Sequence, residues 1–137
     1  MPGAGLGLTA VALIALAGSA GATHRVDHRY VLLGYVRDAM GRPVPWAAVR
    51  LVREKTGLAY DAETDAEGLY LVIVHLHDED LGDPLVLALG PATFRVGARF
   101  DPLDPRTPRG TRVDFIAGEG WERRDDFVHT LERYLKE

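Results

Sequence analysis

The chain has 137 residues, with 16 Lys and Arg against 20 Asp and Glu and a formal net charge of −4. That length holds one domain with a real hydrophobic core and not two, and the mild negative charge argues against a generic nucleic-acid binder. There is no Cys, Asn or Gln, and the only Ser is Ser19 in an apolar N-terminal stretch. Disulfides, thiolate metal sites and Cys or Ser nucleophiles beyond that stretch are therefore excluded by inventory.

In chain order, residues 1–22 carry no charged side chain. An apolar run over 6–17 is too short to span a bilayer and is followed by Ala20-Gly21-Ala22, an A-x-A type cleavage site. The reading is a signal peptide over 1–22, cleaved near Ala22–Thr23. The product is expected to be secreted or periplasmic, with no membrane span after processing. Residues 23–29, with His24 and His28, read as a flexible leader. Short β-rich runs follow over 30–37, 48–53, 59–64, 69–77, 85–89, 94–100 and 112–116, separated by turn signals such as Asp38–Pro43 and Asp65–Gly68. That pattern predicts an all-β, seven-stranded antiparallel Greek-key β-sandwich spanning 30–117. From 118 to 137 a linker leads into a short C-terminal amphipathic helix over 126–135, where Phe127, Val128, Leu131, Tyr134 and Leu135 recur at helical spacing.

Four segments form an ordered set: Gly34-Tyr35-Val36-Arg37-Asp38, then Gly41-Arg42-Pro43-Val44-Pro45-Trp46-Ala47-Ala48-Val49-Arg50-Leu51, then Thr56-Gly57, then Thr64-Asp65-Ala66-Glu67-Gly68-Leu69-Tyr70. This set resembles the carboxypeptidase regulatory-like domain, a transthyretin-like and carbohydrate-binding-like β-sandwich. In this reading Gly34, Asp38, Gly41, Pro43, Asp65, Gly68 and Tyr70 are folding instructions. Gly34 permits a close approach, Asp38 can hydrogen-bond its own backbone in a turn, Thr64 and Asp65 open a hairpin that Gly68 closes, and Tyr70 faces inward with Val72 and Val74. The resemblance implies a non-catalytic accessory or binding module. It is expected to act through an unidentified envelope protein, without a cofactor or nucleic acid.

Other residues carry rival chemistry. His75 and His77 stand at i and i+2, the spacing at which two strand histidines share one face and one divalent metal such as copper or zinc. Trp46 and Trp121 suggest a stacking platform for a glycan. Arg106 and Arg109, in a proline-rich crossing, suggest a loop that clamps an anion or a partner. Charge is also segregated. Between 56 and 94 lie eight acids and no Lys or Arg, and between 95 and 112 lie five arginines against Asp101 and Asp104. The plain reading is that neighbouring strands pair these charges.

Overall fold

The computed structural model describes residues 27–136. The expected signal peptide and the leader up to residue 26, with His24, lie outside the described residues. Eight strands form where alternation and β-branched residues favour a half-buried pleat. They are β1 (His28–Arg37), β2 (Ala48–Arg53), β3 (Ala59–Glu63), β4 (Leu69–Leu76), β5 (Pro84–Leu89), β6 (Ala92–Gly97), β7 (Gly110–Ile116) and β8 (Glu119–Glu122), followed by the helix α1 (Phe127–Lys136). Two four-stranded sheets result, in the orders β4-β1-β7-β8 and β3-β2-β5-β6. The molecule is an all-β sandwich with a C-terminal helix, as the strand pattern implies.

Three details differ from the sequence reading. The strand count is eight, not seven, because part of the segment read as a linker folds back as β8. Its turn is Ala117-Gly118, with both residues at positive φ (53° and 80°), the mirror-image geometry that matches the twist of a hairpin. Secondly, the sandwich is not wholly antiparallel, since β1 pairs with β7 in parallel. The chain runs through the whole second sheet between those strands, so no tight turn dictates their relative direction. Thirdly, β1 begins at His28. That histidine is buried, with its ring against Phe100 and its Nε2 paired to Asp78, and is not part of a loose leader.

The main core lies between the sheets. Tyr30, Leu32, Val72, Val74, Leu76, Val113 and Phe115 face Val49, Leu51, Leu85, Leu87 and Val96. A second cluster forms on the other face of the first sheet, where Phe127 and Leu131 of α1 cover Leu33, flanked by Val31, Leu71 and Val128. The helix therefore covers Leu71, while Ile73, two residues on, stays 40% exposed. Because β1 is buried on both faces, it reads as a near-continuous apolar run rather than a clean alternation.

The family-like motif keeps this frame in register. The β1–β7 ladder pairs Leu33 with Arg112 and next Val36 with Phe115, skipping the residues between. At that gap a Cβ on Gly34 would sit 1.8 Å from the Val113 carbonyl oxygen, so only glycine fits. The Tyr70 hydroxyl, on the strand facing Gly34, donates to that same carbonyl at 2.6 Å. The Tyr35 N–H, also left without a ladder partner, donates to the Asp114 carboxylate at 2.9 Å. The Asp38 side chain accepts from the N–H groups of Met40 and Arg42, and the Asp65 side chain from those of Glu67 and Leu69. Pro43 bridges to Arg37, and the Gly68 carbonyl accepts from the Val36 N–H at 2.8 Å.

Candidate binding sites

His75 projects from β4 and is mostly exposed, with Nδ1 2.8 Å from an Asp27 carboxylate oxygen. His77 lies one residue past the end of β4, and its backbone N–H donates to Asp80 at 2.8 Å. Among the described residues no group of three or more His, Asp or Glu side chains is placed to hold a metal ion.

Trp46 leads into β2 of the second sheet, whereas Trp121 belongs to the first. Trp46 precedes β2 at a φ of 59°. It is held there by Thr64, whose carbonyl accepts the Trp46 N–H at 3.0 Å and whose Oγ1 accepts the Ala47 N–H at 2.8 Å. Trp121 lies on β8, the far edge strand of the first sheet. The paired stacking platform suggested by the sequence is therefore not assembled.

Trp121 instead belongs to a different constellation. It stands directly across from Asp114 on β7, so both side chains leave the same face of the sheet. Asp114 is only 3% exposed. Its carboxylate is gripped from Nε and Nη2 of Arg112, at 3.0 and 2.8 Å, as well as by the Tyr35 N–H. Arg123 approaches the same carboxylate at 3.5 Å. The Asp114 contact and partial burial together hold the Arg112 guanidinium, and the bond to Asp114 pushes its pKa above the ordinary arginine value. Arg37 and Arg112 both stack on the Tyr35 ring, at 5.0 and 5.1 Å from its centroid. Beside them a cleft of about 340 Å³ is lined by Asp114, Ile116, Trp121, Glu122 and Arg123. Trp121 and Ile116 are 55% and 39% exposed. The site thus joins a fixed ion pair, its carboxylate buried, to an exposed aromatic and an exposed aliphatic side chain.

A second cleft, of about 240 Å³, opens at the loop end where the 98–109 connection meets the start of α1. Arg109 lines it, as the sequence suggested, but Arg106 does not. Arg106 is exposed, and its backbone N–H caps Asp104. Arg99 and Arg124 take its place. Hydrogen bonds from the Thr107 side chain and from the Arg106 and Thr107 N–H groups hold the Asp104 carboxyl below its usual range.

Three acids of the middle segment pair with Lys or Arg among the described residues, but not with the arginines that follow them. Asp61 is bound by Arg50 at 2.7 Å, and Asp80 and Asp83 by Arg53 and Lys55. These cations all precede the acidic stretch, and Arg95 is taken by Glu54. Arginines late in the chain are consequently left over at the loop end.

No family model and no curated protein sequence matches the chain. Among solved structures, chlorocatechol 1,2-dioxygenase from Pseudomonas putida is similar at 12% identity with a TM-score of 0.47, over 66% of this chain and 60% of that one. The chain thus spans less than two thirds of the length of that neighbour.

Proposed function

We propose that the protein is a non-catalytic accessory β-sandwich of the carboxypeptidase regulatory-like type, exported to the cell envelope, and that it works by holding a protein partner. The observation that carries this reading is the cleft at β7 and β8. Exposed Trp, exposed Ile and several arginines around a desolvated ion pair are the side chains that dominate binding energy at protein interfaces, whereas Lys is depleted there. The non-catalytic part is supported by what occupies the buried polar groups. Asp114 is held by Arg112 and the Tyr35 N–H, Tyr70 by a backbone carbonyl, and Asp80 by Arg53, Lys55 and the His77 N–H. Each of these contacts serves the fold.

A second reading rests on the same Trp121. An exposed indole next to a fixed carboxylate also suits a sugar ring, which stacks its C–H face on the aromatic. One experiment separates the two. The purified protein is crosslinked in an envelope extract beside Trp121→Ala and, as control, Trp46→Ala. A protein captured by the wild type and Trp46→Ala but lost with Trp121→Ala is the expected result. Equal capture by all three refutes the site. A saturable change in tryptophan fluorescence with glycans, without protein capture, favours the sugar reading instead.

A further inference from the structure

The arginine cleft at the loop end plays no part in the reading above. Its cationic side chains come from three separate segments: Arg99 after β6, Arg109 before β7, and Arg124 in the short turn before α1. They are incompletely engaged. Arg99 makes no side-chain hydrogen bond or ion pair among the described residues. Arg109 donates from one Nη to the Asp104 backbone carbonyl at 2.7 Å, its Nε has no partner, and its guanidinium lies 5.9 Å from the Phe100 ring centroid. Arg124 alone has a carboxylate, that of Glu122 at 2.7 Å, and also reaches the Tyr30 hydroxyl at 3.4 Å.

The carboxylates at the rim are held by their own loop, although the Arg109 charge acts on Asp104. Asp101 accepts the Leu103 N–H at 2.9 Å, and Asp104 accepts those of Arg106 and Thr107 at 2.9 and 3.1 Å. Both cap turns of their own loop, and neither forms an ion pair with a lining arginine among the described residues. The apolar floor is Phe100, Phe127 and Val128. The frame is stiff. The Val31 N–H binds the Arg109 carbonyl at 2.9 Å, and a Cβ on Gly110 would lie 2.4 Å from the Phe127 ring. Arg109 is therefore fixed at its backbone before any ligand arrives, which lowers the ordering cost of binding.

We infer that this cleft binds a monoanionic carboxylate borne on a small apolar body, with the carboxylate on Arg99 and Arg109 and the body on Phe100 and Val128. A guanidinium fork matches a planar carboxylate in geometry and charge. Glu122 matches Arg124, so Arg99 and Arg109 stand beside Asp101 and Asp104 with no net charge. A monoanion adds the smaller charge next to those two carboxylates, whereas a phosphate dianion would meet more repulsion from them. At about 240 Å³ the space lies below the roughly 300–1,000 Å³ of sites for drug-sized ligands, so the body is about the size of a phenyl ring or a leucine side chain. Two sources share this chemistry, a free organic acid and the C-terminal residue of a peptide.

The test is a titration of ¹⁵N-labelled protein with benzoate, benzamide, inorganic phosphate, and an Ala-Ala-Leu peptide with a free or amidated C-terminus. Saturable shifts at the Gly110 and Val128 amides are expected with the two carboxylates and not with the amides. Tighter binding of the peptide assigns a chain terminus, and tighter binding of benzoate assigns a free acid. Arg99→Gln should weaken binding about tenfold, the value of one charge-assisted contact, with an unchanged melting temperature. Arg106→Gln, outside the cleft, should leave binding as it was. The inference is overturned by the absence of saturable shifts with either carboxylate, by equal shifts with the amides, or by phosphate binding tighter than both carboxylates. It is also overturned if Arg106→Gln weakens binding as much as Arg99→Gln does, which would mark a diffuse basic loop.

Discussion

Replacing Tyr70 by Phe removes one oxygen atom and tests the join between β1 and β7. In the wild type the hydroxyl donates at 2.6 Å to the Val113 carbonyl, where the parallel ladder skips a step and Gly34 allows the approach. Burial pushes the Tyr70 phenol above its usual range, so it stays a donor at any physiological pH. The variant keeps the ring and its packing but leaves the Val113 carbonyl facing β1 without a partner. Losing the net hydrogen bond and orphaning a buried acceptor together cost about 1.5–3 kcal/mol. For a domain of this size that is a fall in Tm of about 5–10 °C. Urea unfolding followed by tryptophan fluorescence should show a lower midpoint with an unchanged m-value, since the surface exposed on unfolding is the same. A loss below about 0.5 kcal/mol would refute the reasoning, because the carbonyl would then have another partner.

Phe127→Ala should cost about 3–5 kcal/mol, the range for truncating a buried aromatic, because Phe127 is 2% exposed against Leu33. A variant as stable as wild type by chemical denaturation would mean that α1 does not seal the outer face of the first sheet. Stability should also fall on acidification below about pH 4. Thr107 and the loop N–H groups hold Asp104 below the usual carboxylate range, the Arg42 N–H does the same for Asp38, and Arg50 for Asp61. Burial pushes Asp80 up, but the His77 N–H, Arg53 and Lys55 outweigh it and leave its pKa lowered. Carboxyls depressed on folding contribute stability above the unfolded value of about 3.9, which is lost as the pH falls through their folded values. A urea midpoint that rises between pH 4 and 2.5 would contradict this sign.

The strands from β1 to β7 were legible because apolar runs or alternation, with β-branched residues, fall there between Gly or Pro turns. β8 was not. Its turn has no Asn or Asp to announce positive φ, and Glu119-Gly120-Trp121-Glu122 has no alternation to mark a strand. What holds it is tertiary, since a Cβ on Gly120 would lie 2.7 Å from the Phe94 ring of β6. His28 was misread for a similar reason: its burial depends on Phe100 and Asp78, 72 and 50 positions away. Of the sites, Arg109 was legible from its proline-rich loop. Arg99 and Arg124 join it only because the end of β6 and the start of α1 meet there. The partnership of Trp121 with Asp114 needs the β7–β8 register, which no local spacing encodes. The resemblance to carboxypeptidase regulatory-like domains rests on the early motif, whose residues the structure explains as turns and a close approach.

The order in which the two sheets take their strands has a consequence for folding. The second sheet draws on one contiguous stretch, from Ala48 to Gly97, with only β4 interposed. Its hairpins close over short loops. The first sheet waits much longer. Strand β1, carrying Tyr30, Leu32 and Leu33, is made first, yet its parallel partner begins at Gly110 and the helix over its outer face at Phe127. Until those residues arrive, this strand has one bare edge and one bare apolar face, the condition that invites wrong pairing. Closing so distant a contact slows folding. A nascent chain therefore depends on its last quarter to complete the sandwich, and nicking near residue 105, ahead of β7, should release an aggregation-prone fragment rather than a smaller working domain.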